Sequence, residues 1–211
     1  MKIAFIGYGN VGAPLAIQLE RQGHEVTLAA RDAGSESVRK VLARNPNLHV
    51  AAPQAAVRDA EVVFLATPFQ ANEAALAAVA EELKGKVLVD CTNPVGAGLS
   101  HGLANVQSGS EMIQNLVPEA RVVKAFTIYG FENFEDNSFP GYGVKPAMMY
   151  CGNDAAAKSA VGSLIAQLGW EPLDVGNLEQ ALHLEHMTLL WIRMVRVHGH
   201  SPRMVWAVLK R

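Results

Sequence analysis

The chain is poor in most features that mark a specialised protein class. It has two cysteines, Cys91 and Cys151, in no CxxC or other metal-binding spacing. That excludes a disulfide scaffold and a cysteine-rich metal site, and fits structural thiols in a reducing cytoplasm. Neither sign of charge dominates: 18 Lys and Arg stand against 20 Asp and Glu, a formal net charge of −2. A generic nucleic-acid binder would be basic. No run of about 18 apolar residues exists, as a membrane-spanning helix would need. The nearest approach, Met187 to Val197, is broken by Arg193 and Arg196. The N-terminal run Ile3 to Ile6 is too short for a signal-peptide core and leads into a glycine turn. Repeats, low-complexity linkers and the catalytic signature HExxH are all missing. The expectation is a cytoplasmic protein with no nucleic-acid and no membrane partner.

What is present points to a large buried core. Half of the 211 residues are hydrophobic. At about 150 residues per domain, the length allows one domain and a small appendage. Apolar runs of strand length alternate with helical patterns. Strands are expected at Lys2 to Ile6, Glu25 to Ala30, His49 to Ala51, Glu61 to Ala66, Lys86 to Asp90 and Arg121 to Phe126. Helices are expected at about Asn10 to Gln22 and Ala71 to Leu83. The strands are continuously apolar, as a parallel sheet covered on both faces requires. A stretch rich in Gly, Pro and aromatics, Phe126 to Pro146, breaks the rhythm and reads as a loop. Ala147 to Cys151 and Glu171 to Val175 then read as strands and Asp154 to Leu168 as a helix. A long helix over Asn177 to His198 and a short one over Pro202 to Leu209 close the chain. The fold class is α/β: a Rossmann-type, doubly wound parallel sheet over residues 1–126, with a small C-terminal α+β lobe over 127–211.

The glycine loop carries the first chemical signal. Gly7-Tyr8-Gly9-Asn10-Val11-Gly12 fits GxGxxG, follows the first strand and opens the first helix. Alone the pattern is weak, and a bare glycine turn would share it. In this context it is a dinucleotide fingerprint. Its glycines serve a tight turn, close approach of backbone to pyrophosphate, and helix–strand packing. The helix N-terminus offers free N–H groups and partial positive charge to phosphates.

The end of the second strand selects the dinucleotide. Sites for NAD usually place a carboxylate there. Here Ala30 and Arg31 follow the strand. A guanidinium pairs with a 2′-phosphate in two places, which favours NADP. Arg39 and Lys40 of the next helix could add positive charge. Asp32 is the complication, because a shift of one residue would make an NAD site. Two later strand ends, Ala66-Thr67-Pro68 and Asn93-Pro94, should line the crevice. Asn93 could bond a carboxamide or a ribose hydroxyl, or merely order its own turn.

Taken together these segments resemble the NADP-dependent oxidoreductases of the deazaflavin coenzyme F420. The resemblance rests on the glycine loop, Gly23-His24-Glu25-Val26-Thr27-Leu28 with Arg31 beyond it, and Ala66-Thr67-Pro68-Phe69. It continues through Val122-Val123-Lys124-Ala125-Phe126, Cys151-Gly152-Asn153-Asp154 and Pro172-Leu173-Asp174-Val175-Gly176, to Leu190-Trp191-Ile192-Arg193. These pieces span nearly the whole chain in order. The resemblance implies hydride transfer between NADPH and a flavin-like ring in a cleft between the two parts. It places Gly7, Gly9, Asn10, Val11 and Arg31 on NADP, with Thr67 and Pro68 beside its ribose or nicotinamide. Two positions depart from the family: Ala30 stands where Ser is frequent, and Thr127 where Asn is common. Membrane metalloreductases share this domain but carry transmembrane helices, which this sequence does not show.

No acid–base dyad is evident and no catalytic residue is assigned. Lys124 could protonate a carbonyl oxygen, or could simply point outward at a sheet edge. His183 and His186, at i, i+3 beside Glu185, lack a third ligand, so no metal site is expected. Hydride transfer to a deazaflavin needs ring alignment and exclusion of water more than an acid. The last helix is apolar on more than one side, at Met187, Leu189, Leu190, Trp191, Ile192, Met194 and Val195. That predicts a homodimer, with this helix and Trp206 near the contact or the second-substrate cleft. Two other functions fit the same residues: a non-catalytic NADP-binding sensor, and a dehydrogenase of another small acceptor.

Overall fold

The computed structural model describes residues 1–211. Eight strands form one sheet in the order β3-β2-β1-β4-β5-β6-β7-β8. They are β1 (Lys2–Ile6), β2 (Glu25–Ala29), β3 (His49–Ala51), β4 (Val62–Leu65), β5 (Val87–Asp90), β6 (Arg121–Lys124), β7 (Ala147–Gly152) and β8 (Glu171–Asp174). The helices are α1 (Gly12–Arg21), α2 (Glu36–Arg44), α3 (Pro53–Asp59), α4 (Asn72–Ala77), α5 (Gly109–Leu116), α6 (Glu132–Glu135), α7 (Ala155–Gln167) and α8 (Ala181–Ile192).

Strands β1 to β6 are all parallel. Every residue of β4 and β5 is buried, because helices cover both faces of the sheet. One face packs Phe5, Phe64, Phe126 and Trp170 under α1, α7 and α8; the other packs Leu65, Leu76, Leu88 and Ile113 under α3, α4 and α5. β1 pairs with β2 on one side and β4 on the other. The winding therefore reverses between β1 and β4, and a crevice opens beyond the carboxyl ends of those strands. β7 runs antiparallel to β6, and β8 parallel to β7, so the C-terminal part extends the same sheet.

The chain end differs from the sequence pattern. The helix expected over Asn177 to His198 starts as a 3-10 turn at Leu178–Gln180, becomes α8, and widens to a π turn at Arg193–Val197. The helix expected over Pro202 to Leu209 does not form. Its backbone is bonded sideways: Ala147 donates its N–H to Trp206 O, Trp206 N–H donates to the Tyr129 hydroxyl, and Trp191 Nε1–H donates to Met204 O. Those bonds use groups that a helix would pair internally. Both cysteines are buried and free, and burial pushes the thiols up, Cys151 to about 12. Neither is a reactive thiolate at neutral pH.

Candidate dinucleotide site and the buried charges behind it

The three loop glycines have three different physical reasons. Gly7 has φ +91°, and a Cβ there would lie 2.6 Å from the carbonyl carbon of Ala66. The turn thus abuts the end of β4. A Cβ on Gly12 would lie 2.1 Å from Gly7 O, so the start of α1 presses against the turn. A Cβ on Gly9 would meet nothing within 4 Å. Packing does not demand that glycine; it leaves a cradle that backbone alone lines. Val11 precedes α1, no side chain caps the helix, and its first turn carries no carboxylate. Ala13 donates its N–H to Gly9 O and Pro14 has none, which leaves the N–H groups of Val11 and Gly12 available to an anion.

A groove of about 640 Å³ runs over this cradle. It is lined by Gly7, Tyr8, Gly9, Arg31, Asp32, Ser35, Ser37 and Thr67, with Ala71, Ala74 and Ala75 among its other walls. Arg31 is exposed and in no ion pair. Asp32 is committed to its own turn: Oδ1 accepts the Gly34 N–H at 2.8 Å and its carbonyl accepts the Ser35 N–H. Ala30 is buried, with its N–H on Ala51 O. Ser35 and Ser37, 3.1 Å apart through their hydroxyls, supply polar groups beside Arg31 that Ala30 lacks. Lys40 is held by Glu36 at 2.7 Å, and neither it nor Arg39 lines the groove. Asn10 is exposed and Pro68 leads into the turn Phe69–Ala71.

Asn93 and Pro94 lie past β5, outside that groove. Val95 donates its N–H to the main-chain oxygen of Asn93, while Asn93 Oδ1 is buried without a partner. The side chain therefore does not order the turn and is free for another group. Thr127, past β6, is similar: it is 1% exposed and its Oγ1 has no partner. The residues on either side of it, Phe126 and Ile128, are in the left-handed region at φ 54° and 58°. Non-glycine residues held there cost about 1–3 kcal/mol each and cluster at functional sites. The arrangement at these two strand ends fits a polar ligand group, as the glycine cradle and Arg31 fit a phosphorylated dinucleotide.

Lys124 corrects an expectation. It is not at an edge, because β6 lies between β5 and β7, and it is wholly buried. Its ammonium reaches Asp90 Oδ2 at 3.1 Å, Thr92 O at 2.6 Å and Glu185 Oε1 at 3.0 Å. Burial alone would lower its pKa, but the two carboxylates outweigh that and hold it above the usual lysine value. All three donors are engaged, so Lys124 is not a proton donor to substrate. Glu185 comes from α8, where it shares the buried face with Ala181, Leu184 and Thr188. It also accepts the Gly109 N–H at the start of α5 at 2.9 Å, and meets His101 Nε2 at 2.7 Å. His101 Nδ1 accepts the N–H groups of Leu103 and Asn105, each at 3.3 Å. That acceptor role puts the ring proton on Nε2, facing Glu185. His183 and His186 are exposed, and His186 bonds Asn105. No group of three metal-binding side chains exists.

Asp90, His101 and Glu185 are absent from the residues the sequence singles out as site candidates. The available signal was a carboxylate ending an apolar strand and another on the apolar stripe of a helix.

The fold, the cradle and the groove define a dinucleotide-binding Rossmann protein. A family model described as coenzyme F420-dependent NADP oxidoreductase matches residues 2–94. The F420-dependent NADP reductase of Methanothermobacter marburgensis is 31% identical over 209 residues, covering 92% of each chain. The chain belongs to this family of NADP-dependent oxidoreductases. A crystal structure of a candidate F420-dependent NADP reductase from Arthrobacter sp. FB24 superimposes with TM-score 0.85 at 34% identity, over 96% of both chains. The rat metalloreductase STEAP3 is 30% identical over 189 residues, but the chain spans only 36% of that protein. No helix of this chain is long and apolar enough to cross a membrane.

Proposed function

We propose that the chain transfers a hydride between NADP(H) and a flat acceptor of the deazaflavin class. The observation that carries the NADP half is Arg31, unpaired and in one groove with the glycine cradle, while Asp32 is tied to Gly34. A guanidinium there meets a 2′-phosphate, and the α1 N-terminus meets the pyrophosphate. When bound, NADPH supplies the hydride. The chain's own residues orient it: Gly9 admits the phosphates, and Thr67 reaches the groove from beyond β4. The relatives named as F420-dependent reductases support the deazaflavin as acceptor. Its place would be the ends of β5 and β6, where Asn93 Oδ1 and Thr127 Oγ1 lack partners. A second copy covering Leu190 (52% exposed) and Val197 (60%) belongs to the same reading.

Titrating the protein with NADPH and NADH, then adding a deazaflavin, a flavin and a ferric chelate, tests it. Loss of nicotinamide absorbance with the deazaflavin is expected. Tight NADPH binding with no oxidation by any acceptor would favour a non-catalytic sensor. Arg31→Ala should weaken NADPH binding by about 1.5–3 kcal/mol, the range for a charge-assisted bond, and leave NADH unchanged. Equal losses for both would defeat the role given to Arg31.

A further inference from the structure

Thr67 stands at the half-buried, groove-lining end of a chain of buried hydrogen bonds whose directions are all determined. The chain begins at Asp90, which is 0% exposed and takes two donors on each oxygen. Oδ2 receives Ser110 Oγ at 2.6 Å and Lys124 Nζ at 3.1 Å; Oδ1 receives Thr92 N at 2.8 Å and Thr92 Oγ1 at 2.7 Å. A carboxylate so surrounded accepts only, so the single hydroxyl proton of Thr92 must point at Asp90. Thr92 Oγ1 must then accept, and it accepts from Asn72 Nδ2 at 2.9 Å. That fixes the amide of Asn72, which is wholly buried, with its oxygen toward Thr67. Thr67 Oγ1 therefore donates inward to Asn72 Oδ1 at 2.7 Å. Turning the amide over would set Thr92 Oγ1 and Asp90 Oδ1 against each other as two acceptors. The Thr67 hydroxyl has one proton, and it is used.

We infer that Thr67 meets its ligand only as an acceptor, and that Asn72, Thr92 and Asp90 are positioning residues that impose this polarity. The inference rests on the NADP reading above. Thr67 follows β4, which opens the second mononucleotide half of such a sheet, on the other side of the glycine loop from Arg31. The group it accepts from is thus a ribose hydroxyl or amide N–H on the nicotinamide half of the cofactor.

Binding measurements with NADPH and with adenosine 2′,5′-bisphosphate, which lacks that half, test it. Thr67→Val should weaken NADPH about five- to tenfold, the equivalent of one hydrogen bond, and leave the bisphosphate unchanged. Thr67→Ser should restore NADPH binding. Asn72→Leu, which frees the hydroxyl proton but not the acceptor, should weaken NADPH by less than Thr67→Val and add nothing in a Thr67→Val background, because it acts through Thr67. Unchanged NADPH binding by Thr67→Val, an equal loss of the bisphosphate, or additive losses in the double variant would each overturn the inference while NADP binding stands. Wild-type protein that binds neither ligand would overturn both.

Discussion

The two halves of the sheet solve the same problem in opposite ways. Beyond β1 and β2 the structure leaves space: Gly9 faces nothing, and Arg31 is exposed without a partner. Behind the ends of β5 and β6 it closes on its own charges: Lys124, Asp90, Glu185 and His101 are buried, and every donor of the ammonium is engaged. The first region has binding groups that only a ligand satisfies. The second has satisfied its charges internally, and its network reaches the groove at the half-buried Thr67. On the proposed function, recognition in one half is therefore electrostatic and direct, and in the other it is a matter of hydrogen-bond direction.

Substitutions can break this contrast, and the largest effect belongs to the closed half. Lys124→Met leaves two carboxylates buried without their cation, and should cost about 3–5 kcal/mol in a urea titration. A loss below about 1 kcal/mol, typical of exposed pairs, would show that the cluster is not as closed as described. In the open half, Gly12→Ala forces a methyl onto Gly7 O and should cost about 1–3 kcal/mol of stability. Gly9→Ala should stay within about 0.5 kcal/mol of the parent in stability, yet bind NADPH poorly. Equal thermal losses from the two glycine changes would erase the distinction between a packing glycine and a ligand-facing one. The smallest effect is expected at Lys40, whose exposed pair with Glu36 is worth about 0.3–0.5 kcal/mol. Lys40→Ala should leave NADPH affinity unchanged, and a tenfold loss would return Lys40 to the phosphate site.

The open half was legible in the sequence and the closed half was not. Continuous apolar runs such as Val62 to Leu65 announce buried parallel strands, and a glycine loop at a strand end announces itself by spacing. Glu185 and Asp90 carry no such local mark, because their meaning depends on Lys124, which is far away in the chain. A carboxylate on a helix reads by default as solvent-facing. Short α5 was hidden for a different reason. It has eight residues, too few for a clear period, although the Ser108 and Glu111 capping box was there to be read. The Pro202 to Leu209 segment failed in the other direction. Its local pattern allowed a helix, and bonds to Ala147, Tyr129 and Trp191 override it.

The antiparallel step at β7 has a consequence for what the crevice end of the sheet carries. β6 runs toward the crevice, so β7, running the other way, begins at that end with Ala147. The loop before it and the tail bonded to it are both delivered there, and they enclose a hollow of about 540 Å³ between Phe139, Tyr142, Pro146, Arg203, Met204 and Val205. These are the segments with the least regular structure in the chain. One reversed strand thus brings the two least regular segments of the chain to the crevice end of the sheet without interrupting the parallel strands that carry the glycine cradle.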